Sequence, residues 1–332
     1  MPADRDFWNA SRFRPDDDDG FYESYFQRAN HPSRPLAFWI RYTVFNPRGH
    51  PDQARGELWA IYFDGESERI VAGKQTMPIS ECRFSPTGLN VQIGRSALNE
   101  YALDGSMVTT EHTVAWSLAY QVAEVPLLLL PESYYARALP RAKALVGAPN
   151  AIFNGSLIVD GIRIGIDGWR GSQNHNWGQR HTDRYAWAQV AGFDNAPGVF
   201  LECSTAQLKL GPVWSPRMTV LVLRDGDEEI ALNGFWQSLR ATARVDRFDW
   251  RIATGSDSVR VYGRIRAPAD AFVGLRYDNP PGGSKTCLNC KLAGAEFTVE
   301  RAGRPDRILS TRNRAAFEIL TERDDHGVPV VA

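Results

Sequence analysis

The residues from Gly171 to Gly192, GSQNHNWGQRHTDRYAWAQVAG, gather two histidines, two tryptophans, a tyrosine and several amides into one short polar-aromatic run. Side chains of these types bind and orient an organic ligand, and an imidazole among them adds a means of moving a proton. If Ser172 to Trp177 and Arg184 to Val190 are strands, the side-chain period of two puts Gln173, His175 and Trp177 on one face. It puts Tyr185, Trp187 and Gln189 on one face of the next strand, with Ala186, Ala188 and Val190 behind them. A small apolar face backing a large, aromatic, hydrogen-bonding one fits the wall of a ligand cavity better than a packed core. A metal at His175, His181 and Asp183 finds no recognised zinc spacing in the six-residue step between the histidines. Cys287 and Cys290 form a lone CxxC after a Pro-Gly loop, so an inert structural role is expected, and neither metal nor cofactor is implied.

The elements that position these residues read as all-β. From Phe21 onward, short aromatic and β-branched segments alternate with Gly, Pro, Asp and Asn. Strands are predicted over 21–28, 36–46, 56–64, 68–76, 88–94, 97–104 and 107–117, with turns such as Asp64-Gly65 and Asp104-Gly105 between them. Such a meander closes to remove its edges. In Phe38 to Val44 both alternating faces carry apolar bulk, so one face is expected to cover a cavity and the other a neighbouring domain. Residues 131–147 have the composition of a short helix, capped by Ser133 and divided by Pro140, and read as an inter-domain connector. The all-β texture then resumes over 151–159, 162–168, 172–177, 184–192, 198–208, 217–225, 228–236, 239–246, 249–253, 258–266, 287–300 and 305–319, with no repeat period. Two domains are expected, 1–146 and 147–332, the second carrying His175 and Trp177.

Net charge is −1, with lysines and arginines scattered, so no sequence-independent attraction to nucleic acid or an anionic bilayer is expected. The longest aliphatic run, Val125 to Leu130, is far short of a membrane helix. Asp16 to Asp19 lack the alternating ligand spacing of a calcium loop and read as a solvated turn. The start MPADRDFWNA has no apolar signal region, so a cytoplasmic protein is expected. There is no phosphate loop, dinucleotide fingerprint or Gly-x-Ser-x-Gly elbow.

Three blocks carry a family resemblance: YESYFQRAN with FWIRYTVFNP and ELWAIYFDG between Tyr22 and Gly65, His175 to Gly178 running on into RYAWAQ, and CLNCKLA from Cys287 to Ala293. In this order they resemble the carotenoid hydratase (hydroxyneurosporene synthase) and AttH-like group, and more distantly tocopherol cyclases. The resemblance implies two lipocalin-like antiparallel β-barrels packed side by side around a mostly apolar cavity, and an apolar, isoprenoid or lipid-like ligand.

Hydrating or cyclising an alkene needs a proton donor, a surface that tolerates a carbocation and control of water. By the resemblance, His175 and Trp177 match the hydratase His-x-Trp strand. Phe200 and Glu202 fall where the family carries an aromatic hydroxyl and an aspartate, so both positions depart from its pattern. Glu202 is expected as the acid if an apolar setting raises its pKa, and as a structural carboxylate if Arg180, Arg184 or Arg217 pairs with it. His175 is expected to hold water or take back the proton, and Tyr185, Trp177 and Trp187 to face a developing cation. Asn176, Gln189 and Phe200 complete the expected binding surface. Glu23, Arg41 and Glu57 read as a buried charge network holding the first barrel. The expected activity is cofactor-independent hydration or cyclisation of a C=C bond. The competing expectations are a non-catalytic carrier using the same cavity, or a pericyclase-like enzyme whose cavity only shapes a polyene.

Overall fold

The computed structural model describes residues 5–331. The chain forms two successive antiparallel sheets, each curled around its own apolar core, in the arrangement of two lipocalin-like barrels. The first contains β1 (Phe21–Asn30), β2 (Leu36–Asn46), β3 (Arg55–Asp64), β4 (Arg69–Pro78), β5 (Cys82–Phe84), β6 (Asn90–Ile93), β7 (Ser96–Asn99), β8 (Ala102–Val108), β9 (Thr113–Gln121), β10 (Leu127–Leu128), β11 (Ala142–Val159) and β12 (Ile162–Gly178). Their order is β4-β3-β2-β1-β12-β11-β9-β8-β7-β6-β5, with β10 on β11. The end strands β4 and β5 are joined by one 3-10 turn, Ile79–Glu81, which brings the two edges together.

The second sheet contains β13 (Arg184–Ala191), β14 (Val199–Gln207), β17 (Met218–Asp225), β18 (Glu228–Leu232), β19 (Thr242–Asp246), β20 (Asp249–Gly255), β21 (Val259–Arg266), β22 (Val273–Asp278), β23 (Ser284–Arg301) and β24 (Arg304–Thr321), and a separate hairpin holds β15 (Lys209–Leu210) and β16 (Val213–Trp214). Its order is β18-β17-β14-β13-β24-β23-β21-β20-β19, with β22 on β23. The helix α2 (Phe235–Arg240) lies between the two edges, against β17 and β20; the other helix, α1 (Arg5–Asn9), packs on β11 in the first barrel. No helix among the described residues is long and apolar enough to cross a membrane.

The period of two sorts the strands as their sequences suggest. Phe38, Ile40 and Tyr42 of β2 fill the first barrel, while Ala37 and Trp39 on the opposite face pack against Val273, Leu275 and Cys287 of the second sheet. Ala186, Ala188 and Val190 enter the core of the second barrel. Two expectations change. The change of sheet falls in the link 179–183, not at 146/147, because β11 and β12 pair along their whole length and leave His175 in the first sheet. The connector over 131–147 contains one 3-10 turn, Glu132–Tyr134, and gives way to β11, because residues 142–146 find partners on β12 that a helix would forgo.

Gly171 marks the closest approach of β1 and β12: a Cβ there would overlap the carbonyl oxygen of Arg28. Gly171→Ala is expected to lower unfolding free energy by about 2–4 kcal/mol in urea titration. Gly165→Ala, on the same strand with open space around it, should stay within about 0.5 kcal/mol.

Candidate functional site

The two faces of β12 serve two compartments. His175 looks into the first barrel, fully buried, with its ring stacked 4.2 Å from Tyr25 and tilted against Trp177 at 4.7 Å. Its Nδ1 lies 2.8 Å from the Trp8 carbonyl oxygen and its Nε2 2.9 Å from Glu23 Oε1. Glu23 also accepts from the Ser11 hydroxyl at 2.6 Å and from the Arg12 and Phe13 amides at 2.9 and 3.2 Å. Burial pushes the Glu23 carboxyl up, but these donors outweigh it and hold its pKa below the usual carboxylate range. Both neighbours of the imidazole are acceptors, so the full set of contacts requires a proton on each ring nitrogen. Burial pulls its pKa down, against the Glu23 charge. The result is a clamp that fastens residues 8–13 across the barrel, with both ring nitrogens engaged.

The opposite faces of β1 and β12 meet the outward face of β13. Arg28 donates through Nε to Gln189 Oε1 at 2.9 Å, through Nη2 to the Gln189 carbonyl at 3.1 Å and through Nη1 to Asn30 Oδ1 at 2.7 Å. Ser172 donates to Gln189 Oε1 at 2.6 Å, and Gln189 Nε2 donates to Asn174 Oδ1 at 2.7 Å. Lys291, buried, reaches Asn289 Oδ1 at 2.5 Å and Glu318 Oε1 at 2.8 Å. Arg28, Ser172 and the amides therefore spend their hydrogen bonds tying sheet to sheet, while the Lys291 ammonium is held within the second sheet.

Beside this joint stands Glu202 on β14, 2% exposed. The Trp187 indole donates to its Oε1 at 2.9 Å, and among the described residues its Oε2 has no hydrogen-bond partner. Burial pushes the carboxyl up to about 7, against the Trp187 hydrogen bond, the charge of Arg28 and the Gln189 amide. No arginine is paired with it. Arg180 binds Asp183 at 2.5 Å, Arg184 lies 3.9 Å over the Trp214 ring, and Arg217 donates to the Ala243 carbonyl. Phe26, Asn176, Tyr185 and Ser204 point into the same inter-sheet region yet stay half-buried, so the sheets do not close completely there. Asn176 Oδ1 is another buried atom without a partner.

No family model matches the chain. An uncharacterized protein of Mycobacterium tuberculosis, present in two strains, is 28% identical over 309 residues, covering 88% of this chain and 84% of that protein. Among solved structures, an AttH-like protein of Nitrosomonas europaea superposes with a TM-score of 0.59 at 12% identity, covering 94% of this chain and 97% of that one. Kievitone hydratase of Nectria haematococca gives 0.57 at 12% identity over 91% and 89%, and CghA in complex with Sch210972 gives 0.55 at 11% over 91% and 89%. The chain shares their fold.

The residues singled out in the sequence thus divide. Glu202, Tyr185, Trp187, Gln189 and Asn176 meet between the sheets. His175 and Trp177 do not: they face the first barrel, because β12 and β13 belong to different sheets and present opposite faces to each other's compartment. Phe200 faces the second barrel's neighbour but is fully packed against Leu127, Leu129 and Val222. Gln189 is consumed by the joint. Glu23 and Arg41 do not share a network, since Glu23 points inward and Arg41 outward, while Glu57 is held by Arg55 and Lys74, each at 3.0 Å. Cys287 and Cys290 are free thiols on opposite faces of β23, both pushed up by burial. His181 stacks on Tyr22 at 4.0 Å, and Asp183 is engaged by Arg180 and Lys285. Arg28, Lys291 and Glu318 escaped the sequence reading; a charged residue at an alternate position of an otherwise apolar strand was their only signal.

His175→Leu removes a hydrogen-bond partner from a buried carboxylate and is expected to cost about 3–5 kcal/mol in urea unfolding. A loss under about 1 kcal/mol would be incompatible with the clamp.

Proposed function

We propose that the protein binds an apolar, isoprenoid or lipid-like ligand between its two sheets and catalyses cofactor-independent acid–base hydration or cyclisation of a C=C bond, with Glu202 as the proton donor. The observation that carries this reading is the state of that carboxyl: buried, bonded by the Trp187 indole, in no ion pair with an arginine among the described residues, and raised to about 7 by burial against Trp187, Arg28 and Gln189. With Oε1 accepting from Trp187, the acid proton resides on Oε2, the atom with no protein partner. Transfer of that proton to one alkene carbon leaves a cation on the other. The faces of Trp187, Tyr185 and Phe26 supply a surface for it, worth up to about 2 kcal/mol each when desolvated. Water adding to the cation returns its proton to the Glu202 carboxylate, which restores the starting state; in a cyclisation a second double bond attacks the cation, and the new cation so formed loses a neighbouring C–H proton to the carboxylate. Burial holds the Tyr185 phenol well above its usual pKa, so it stays neutral and hydrogen-bonding. The fold shared with a hydratase supports the reading without fixing the substrate.

The test is mass spectrometry of ligand extracted from the purified protein, followed by incubation in heavy-oxygen water. Label in the product is expected for hydration and a mass-neutral isomer for cyclisation, whereas recovery of unchanged ligand would leave a carrier. Glu202→Gln keeps the shape of the site and is expected to lower turnover by about 10²–10⁴-fold with ligand still bound. Because the donor is the protonated form, native turnover should be full below about pH 7 and fall as pH rises through that value. A profile flat from pH 5 to 9 would remove Glu202 from the role.

A further inference from the structure

Among the described residues, three buried donors on the outward face of the first barrel have nothing to donate to. They are Arg41 Nε, Trp39 Nε1 and Trp59 Nε1. Register puts Arg41 directly opposite Trp59, and Trp39 two residues earlier on the same face of β2. Arg41 is 5% exposed. Among the described residues its side chain makes one hydrogen bond, Nη2 to Ser24 Oγ at 2.6 Å, and no ion pair. The acids nearest in the fold are taken, Glu57 by Arg55 and Lys74, and Glu318 by Lys291. What holds the guanidinium is the Tyr277 ring, 4.5 Å from Cζ.

Burial disfavours the Arg41 charge, but Tyr277, Glu57 and Glu318 outweigh it and hold its pKa up; neither acid bonds the guanidinium, and each buried N–H without an acceptor is unfavourable. These three donors share one patch, and the unpartnered acceptor on the same face, Asn176 Oδ1, lies two strands away on β12, so the three fit an acceptor that arrives from outside. The patch is continuous with the Glu202 site. Phe26 lies 6.1 Å from Trp39 and 6.0 Å from Trp187, and Trp187 holds Glu202. Resting on the function proposed above, we infer that the substrate is amphiphilic. An anionic oxygen group, a carboxylate or an equivalent oxyanion, binds Arg41 with the indole N–H groups of Trp39 and Trp59. The unsaturated apolar body runs along Phe26 toward Glu202. Arginine and two fixed N–H donors suit an oxyanion, since each supplies a directed hydrogen bond and the guanidinium supplies the charge.

The experiment titrates the full chain with cis-parinaric acid, a fluorescent polyene carboxylate, and with its methyl ester. The acid is expected to bind about tenfold more tightly or better. Arg41→Met should abolish that preference while leaving ester affinity within about twofold. Trp39→Phe and Trp59→Phe, which keep an aromatic ring and remove the donor, should each weaken the acid a few-fold and spare the ester, so the inference does not hang on one buried substitution. Equal binding of acid and ester, no binding of either, or a preference unchanged in all three variants would overturn it; water filling the three donors gives the first of these results. Glu202→Gln should leave the acid-to-ester ratio intact. Failure of the acid–base reading therefore appears in turnover, and failure of this one in the ratio.

Discussion

A guanidinium is costly to leave without hydrogen bonds out of water, and Arg28 has been taken entirely out of water where the two sheets meet. Burial pulls its pKa down to about 9, opposed by the charges of Glu202 and Glu318. Its donors go to the side chain and backbone of Gln189 and to Asn30, and Asn30 in turn reaches the carbonyl of Lys291 at 2.7 Å. An apolar seam tolerates sliding, because burial is insensitive to direction. A joint made of directed bonds to a planar fork is satisfied in one register only. Arg28 therefore fixes which residues of β1 and β12 face which residues of β13 and β14, and with them the inventory of the space alongside.

That register decides the chemistry on both sides of β12. Inward, His175 and Glu23 use up their hydrogen-bonding capacity on one another and on residues 8–13, so the imidazole orders structure. Outward, the joint consumes Gln189, Ser172 and Asn174 but stops short of Glu202, which keeps one oxygen uncommitted. Arg28 favours the Glu202 carboxylate through its charge, yet its hydrogen bonds lie elsewhere and burial prevails. Had the guanidinium been aimed at Glu202 directly, the carboxyl would be an ion-pair partner with a depressed pKa and no proton to give at neutral pH.

Much of this was legible in the sequence. Alternation and turn chemistry place most of the strands, although Asp104-Gly105, read as a turn, lies within β8, the pattern misses β22, and α2 falls where strands are expected. In Phe38 to Val44 the face expected against a second domain lies there, while the face expected on a cavity is packed in the first core. Ala186, Ala188 and Val190 read as a packed face and are one. What a period of two does not contain is which face turns inward or which sheet a strand joins. His175 and Trp187 are twelve residues apart and looked like two walls of one cavity. The chain changes sheets between them, so the aromatic face of β12 closes one barrel while that of β13 lies outside the other. The clamp on His175 depends on Glu23, 152 residues away, a contact no local pattern announces. The same holds for the short connector, where Ala and Leu favoured a helix but pairing with β12 won.

The chemistry of the unspent polar groups argues for the inter-sheet space as the working part of the molecule. The barrels also hold unpartnered atoms, on Gln27 in the first and on Trp250 and Thr254 in the second, but among the described residues none of these is ionisable. Between the sheets, an acid at one end and three donors at the other remain without partners while surrounded by aromatic rings. Natural sequences shed such costs readily where they serve nothing, since an apolar replacement of similar volume is often neutral or stabilising. Unpartnered ionisable groups on facing surfaces, a few residues from a joint that is fully bonded, support the proposed ligand site over an interface that is merely imperfect.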